Sequence, residues 1–315
     1  MALVRRRPRL DFETVGIWIL LAVAVAFASV AIPAFRDPVN LANILRQSSV
    51  LGILAIGQTF VIAAGMIDLS VGMIAGLVVV LSCWMLNGEA ALTLPVAAAM
   101  LLLGAGIGFV NGSLVNRLKL HPLILTFGML SILQGVIFTF TDRSVGRASA
   151  PLKILANGDI WGIPLSGLVL LAVLFAAHIV FSRTSFGYHL LAVGGNPESG
   201  RRAGIDVGAV RLACFMISGL SAGLAGLLLA GRLGTGYPLA GSGLELDAIV
   251  AVVLGGTALS GGRGSVIRSI GGVIVLSIVS NALNLLEVSA FVQMFIKGVI
   301  VVIAILVNQP RREYA

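Results

Sequence analysis

The 315 residues predict an all-α fold: a polytopic membrane bundle of about ten transmembrane helices, some of them broken, with a short helix in a polar loop. Three observations predict it. The chain is 58% hydrophobic and 11% charged, with mean hydropathy +1.06, whereas soluble domains carry about 25% charge to cover their water-facing surface. Ten apolar stretches approach the ~20 residues a helix needs to cross a bilayer. Lysine and arginine collect in alternate loops, so the net charge of +8 reads as membrane orientation and not as a nucleic-acid footprint.

In chain order the expected spans are 14–34, 48–66, 69–87, 92–115, 123–141, 163–181, 212–231, 247–260, 266–286 and 290–307, the eighth being short. With the N-terminus on the cytoplasmic side, Arg5, Arg6, Arg7, Arg9, Arg117, Lys119, Arg183, Arg201, Arg202, Arg211, Arg263, Arg268, Arg311 and Arg312 fall inside. Arg36, Arg46, Arg143, Arg147, Lys153 and Arg232 fall outside, and Lys297 lies in the last span. Fourteen against six supports ten spans with both termini cytoplasmic. Residues 1–13 are then an N-terminal cytoplasmic segment, 14–307 one transmembrane domain and 308–315 a cytoplasmic tail. Ala26-Phe27-Ala28 resembles a signal cleavage site, but the apolar run exceeds the usual 7–15-residue signal core, so an uncleaved first helix is expected.

The longest polar break, Ser182 to Arg211, contains a short helix with its end signals in place. Asn196 can N-cap, Pro197 suits the first helical position and Glu198 the positive end of the dipole. Arg201 and Arg202 suit the negative end, with Ala203, Gly204 and Ile205 closing the helix through a left-handed glycine. Two turns are too short to stand alone in water, so this helix needs something to dock on.

Within the spans, Gly72 and Gly76, Gly104, Gly108 and Gly112, and Gly219 and Gly223 recur at helical spacing and allow close helix approach. The second and eighth spans end alike, at Ala64–Ser70 and Leu254–Gly262, as Gly-broken helices turning at one membrane face; this hints at an internal duplication. Asp68 and Ser70 sit at the first break and are expected to cap the third helix or to face a transported molecule. Gln58, Thr59, Asn111, Gln134, Asn281, Asn284 and Gln293 could line a polar path for an uncharged, hydroxyl-rich solute, or hydrogen-bond between helices. Lys297 either snorkels or pairs with Glu287 or Asp247. Cys83 and Cys214 read as small buried hydrophobes. His121, His178 and His189 lack metal-site companions, and no G-x-S-x-G elbow occurs, so neither a metal centre nor a catalytic residue is expected.

Several runs resemble ribose-type sugar ABC importer permeases, of the branched-chain amino acid/monosaccharide permease superfamily. They are Gly57-Gln58-Thr59-Phe60-Val61-Ile62 through Gly65–Gly72, His121–Gly128, Thr184–Gly187 with Gly194–Glu198 and Ala203–Ile205, and Val252–Gly256 with Ser260–Ser265. At His121–Gly128 the family more often has a Phe and an Ala-Thr-Leu-Gly. The resemblance implies that 182–211 is a coupling loop whose helix docks on a cytoplasmic ABC ATPase subunit. It also implies a second permease subunit in a homo- or heterodimer, a periplasmic sugar-binding protein, a bacterial inner-membrane location and alternating access. ATP and magnesium would then sit on the ATPase partner. Leu259-Ser260-Gly261-Gly262-Arg263 resembles the nucleotide-contacting LSGGQ of ABC ATPases, but no lysine follows a glycine, so no phosphate loop exists here.

Overall fold

The computed structural model describes residues 12–307; the rest of the N-terminal segment and the tail, with their arginines, lie outside the described residues. Among the described residues thirteen α-helices form one bundle: α1 Phe12–Ala31, α2 Pro38–Ala63, α3 Val71–Leu86, α4 Thr93–Leu118, α5 Pro122–Phe140, α6 Ala150–Asn157, α7 Leu165–Arg183, α8 Ser185–Gly195, α9 Pro197–Arg202, α10 Val207–Leu233, α11 Leu244–Leu254, α12 Val266–Leu285 and α13 Ala290–Val307. A two-stranded hairpin, β1 Asp159–Ile160 and β2 Ile163–Pro164, precedes α7.

The helix starts follow local chemistry. Asp37 accepts from the Val39 N–H at 2.8 Å and Asp206 from the Ala209 N–H at 2.9 Å, satisfying donors that lipid cannot solvate. Pro38 and Pro122 occupy first-turn positions of α2 and α5. Phe27, Val30, Ile124, Phe175, Phe291 and Phe295 stand outward on α1, α5, α7 and α13, as a lipid-facing surface requires.

α10 is the hub, packing on α2, α3, α4 and α6. Its closest neighbour is α4: a side chain at Gly104 would collide with the Gly219 carbonyl, and one at Gly219 with the Gly104 carbonyl. The glycine repeats of both helices are thus used up within the chain.

All ten expected spans contain a helix, but the count of ten crossings does not follow from their lengths. Among the described residues six helices are long and apolar enough to cross a membrane: α2, α4, α5, α7, α10 and α12. The eighth span differs most. α11 has 11 residues, about 16 Å of helix against a ~30 Å hydrocarbon core. The preceding residues, 234–243, run non-helically alongside α3. Gly236 exchanges backbone bonds with Val145 at 2.9 and 3.1 Å beside Val80, and Gly241 packs against Gly72 and Gly76. Eight residues of α3 separate those levels, about 12 Å. The first turns of α3 and α11 therefore lie side by side within the bundle, each reached through a non-helical stretch (64–70 for α3, 234–243 for α11). Such backbone is tolerated in a membrane where protein buries it.

The polar break at 182–211 is more ordered than expected. α7 continues to Arg183, α8 fills 185–195, and α9 is the anticipated two-turn helix.

Candidate functional site

α9 is held at both ends by its own sequence. The Asn196 side chain accepts from the N–H groups of Glu198 and Ser199, both at 3.0 Å. At the other end Gly204 takes φ +83°, its N–H donating to the Arg201 carbonyl while the Ile205 N–H donates to the Gly200 carbonyl, each at 3.0 Å. That paired closure satisfies carbonyls the helix would leave bare, with Ile205 turned toward the core. Glu198 is paired with Arg201 at 2.6 Å and Arg202 at 3.4 Å, all three side chains more than half exposed. Exposed pairs of this kind stabilise a helix by only ~0.3–0.5 kcal/mol, so these charges are free to meet another surface. We expect Asn196→Ala to destabilise the chain by about 1 kcal/mol through the lost cap, measured as a fall in the thermal unfolding midpoint.

α8 seats α9 on the bundle. Leu190 and Val193 are fully buried, and Phe186 stacks on Phe60, which meets Phe181 edge-on at 5.4 Å. The end of α8 meets both helix breaks. The Gly262 N–H donates to the Ala63 carbonyl at 2.9 Å, and a Cβ on Gly194 would strike that carbonyl and the Gly262 nitrogen together. Gly65, Gly261 and Gly262 all have positive φ and lie against Gly194 and Gly195. Leu259–Arg263 thus owes its glycines to a close three-way backbone contact, with no nucleotide needed to explain them. The second and eighth spans do turn at one end of the molecule, and the α8–α9 unit touches both turns.

Above this junction the 64–70 break is stitched by four helices. Asp68 is fully buried. One carboxylate oxygen accepts from the Ser70 N–H at 3.0 Å and the Ser70 hydroxyl at 2.6 Å; the other accepts from the Ser218 hydroxyl of α10 at 2.9 Å. Asn111 of α4 donates to the Ser70 hydroxyl at 3.0 Å. The Gln58 amide of α2, oriented as its neighbours require, pairs with the backbone N–H and C=O of Asp68, both at 3.3 Å. Thr126 of α5 donates to the Ile67 carbonyl at 3.2 Å and accepts from the Leu69 N–H at 3.1 Å. Asp68 closes a turn just before α3, and Ser70, though at the cap position, makes no side-chain cap bond. The capping role expected of this pair is replaced by a network that fixes the break.

The remaining polar residues lie elsewhere. Thr59 bonds Ser269 of α12 at 2.9 Å. Asn281 forms a reciprocal amide pair with Asn40 at 2.7 and 3.0 Å. Gln293 donates to Asn284 at 2.8 Å, and Gln134 is half-buried on α5. The nine side chains singled out for a path therefore fall into separate clusters. Sequence reasoning missed Thr126, Ser218, Ser269 and Asn40; a hydroxyl or amide in an apolar helix was their only signal. Lys297 pairs with Asp247 at 2.7 Å, their side chains 28% and 22% exposed. A double-mutant cycle with Lys297→Met and Asp247→Asn should give a coupling energy of about 1 kcal/mol or more in thermal unfolding.

Comparison with known proteins agrees with this architecture. Residues 40–305 match the family described as branched-chain amino acid transport system / permease component. The ribose import permease protein RbsC of Bacillus subtilis (strain 168) is 35% identical over 314 residues, covering 97% of each chain. RbsC of Escherichia coli (strain K12) is 37% identical over 303 residues, 93% of each chain. The L-arabinose transport system permease protein AraH of the same strain is 33% identical over 313 residues, 97% of this chain and 95% of its own. No solved structure matches the chain.

Proposed function

This chain belongs to the branched-chain amino acid transport system / permease component family, and from that premise we propose that it is the membrane-spanning subunit of an ATP-driven importer for a monosaccharide or related polyol. Relatives named as ribose and L-arabinose permeases support that solute class. On this reading the chain lies in the bacterial cytoplasmic membrane with the α9 end and both termini inside. It pairs with a second permease subunit, receives solute from a periplasmic binding protein, and docks on ABC ATPase subunits through Asn196–Ile205. ATP and magnesium belong to those partners.

The observation that carries the reading is mechanical. A capped helix with exposed charges follows α8, whose last residues Gly194 and Gly195 make close backbone contacts with both helix breaks. Displacement of α9 by a closing ATPase would move α8 as a unit and tilt α2–α3 and α11–α12 together, which is a route to alternating access. Glu198→Arg is the direct test, because it inverts the exposed charge and leaves the packed residues alone. In proteoliposomes holding the full assembly, we expect ATP-driven ribose or arabinose uptake to fall about tenfold while the thermal midpoint of the chain changes little. Normal uptake by that variant, or solute uptake by the purified chain alone, would overturn the proposal.

A further inference from the structure

We propose that the cavity enclosed by α2, α10, α11 and α12 is a transit subsite for hydroxyl groups of the solute. The inference rests on the importer reading but concerns a different part of the chain from α9. The cavity has a volume of ≈ 110 Å³, and its polar lining is Gln47, Arg232, Asp247, Ser277 and Ser280. None of the nine polar residues singled out from the sequence borders it. At ~30 Å³ of liquid volume per water it holds roughly three to four waters. It therefore fits one small polyhydroxylated molecule, or one face of a monosaccharide, and excludes larger saccharides.

Two features point to alcohols as its guests. The Ser277 hydroxyl is buried, with Ser277 2% exposed, and makes no hydrogen bond among the described residues. A helical serine ordinarily turns its hydroxyl back to the carbonyl four residues earlier, as Ser49 and Ser269 do here. Ser277 instead keeps a polar atom at the cavity wall that a guest hydroxyl would satisfy. The wall also mixes donors and acceptors: the Arg232 guanidinium only donates, the Asp247 carboxylate paired with Lys297 accepts, and Gln47 does both. An alcohol does both as well, so vicinal hydroxyls match the set better than an inorganic ion would. Lys297 holds the Asp247 carboxylate at 2.7 Å, so that its position is fixed from α13. No aromatic side chain lines the cavity, so there is no stacking platform to retain a sugar. This is a place to pass through.

The chain's own cysteines make the test clean, because Cys83 and Cys214 are fully buried. Ser277→Cys and Ser280→Cys variants, in the complete assembly in membrane vesicles, are labelled with a small water-soluble methanethiosulfonate. Ser82→Cys serves as a reference, being buried on α3 away from the cavity. The expected result is labelling at positions 277 and 280 that ribose, arabinose or glycerol slows at least about fivefold, with salt of equal osmolality having no such effect. The proposal is overturned if Ser277→Cys and Ser280→Cys react no faster than Ser82→Cys, or if none of the three polyols changes their rates. The importer reading has its own readout in the same vesicles, ATP-driven uptake by the wild-type assembly. Protection without uptake would sink that reading and keep the subsite; uptake without protection would do the reverse.

Discussion

On the importer reading, Gly194→Ala is expected to lower coupled uptake tenfold or more in a chain that still inserts and still binds the proposed ATPase subunits. The added methyl has no room, since its position is occupied by the Ala63 carbonyl oxygen and the Gly262 nitrogen. Both are backbone atoms already joined to each other at 2.9 Å. Relief requires that α8 move off the two breaks, at an overpacking cost of ~1–3 kcal/mol. The face of α9 that carries Glu198, Arg201 and Arg202 is untouched, so the proposed docking should persist while the motion of α9 would no longer reach α2 and α12. Gly195→Ala is the matched control: its methyl would meet only the Gly262 Cα at an ordinary 3.8 Å. Measured in the same vesicles, it should keep most of the wild-type uptake. Equal loss in both variants would mean that the three-way contact transmits nothing.

The second large effect is on stability. Asp68→Leu leaves the Ser70 N–H, the Ser70 hydroxyl and the Ser218 hydroxyl without their acceptor. At ~1–3 kcal/mol for each buried donor left unsatisfied, the loss is at least about 3 kcal/mol. Against a net folding stability of ~5–15 kcal/mol that is a large fraction of the margin. Asp68→Asn behaves differently. Its amide oxygen keeps both Ser70 bonds, and its nitrogen can donate to the Ser218 hydroxyl, which accepts as readily as it donates. The midpoint of thermal unfolding should drop steeply for the leucine variant and only slightly for the asparagine variant. A leucine variant with the midpoint of the wild-type chain would show that the carboxylate network is dispensable.

What could be foreseen from the residues depended on how local the cause was. α9 was legible to its last residue, because Asn196, Pro197 and Gly204 act on backbone within a few positions of themselves. The lipid-facing helices were legible from composition alone. α11 was not: an apolar window reads the same whether the chain crosses as a helix or enters extended and finishes as a half-helix. The glycines at 236 and 241 permit the extended course, but only the surface of α3 beside them requires it. α8 was hidden for the opposite reason, its polar residues masking a buried face formed by Leu190 and Val193. Asp68 was recognised as special, whereas Ser218 lies 150 residues away in sequence, a distance no periodicity spans. The glycine pairs of α4 and α10 could be seen as contact surfaces, and folding was needed to show that each meets the other.

That same separation has a consequence for biosynthesis. Ribosomes extend a chain by ~5–20 residues per second, so the 150 residues between Asp68 and Ser218 take roughly 8–30 seconds to make. Throughout that interval the carboxylate of the first break lacks the Ser218 hydroxyl that one of its oxygens accepts from in the folded chain. An acid short of its partner is costly to bury in lipid, so the 64–70 break is expected to reach its buried position only once α10 has been made.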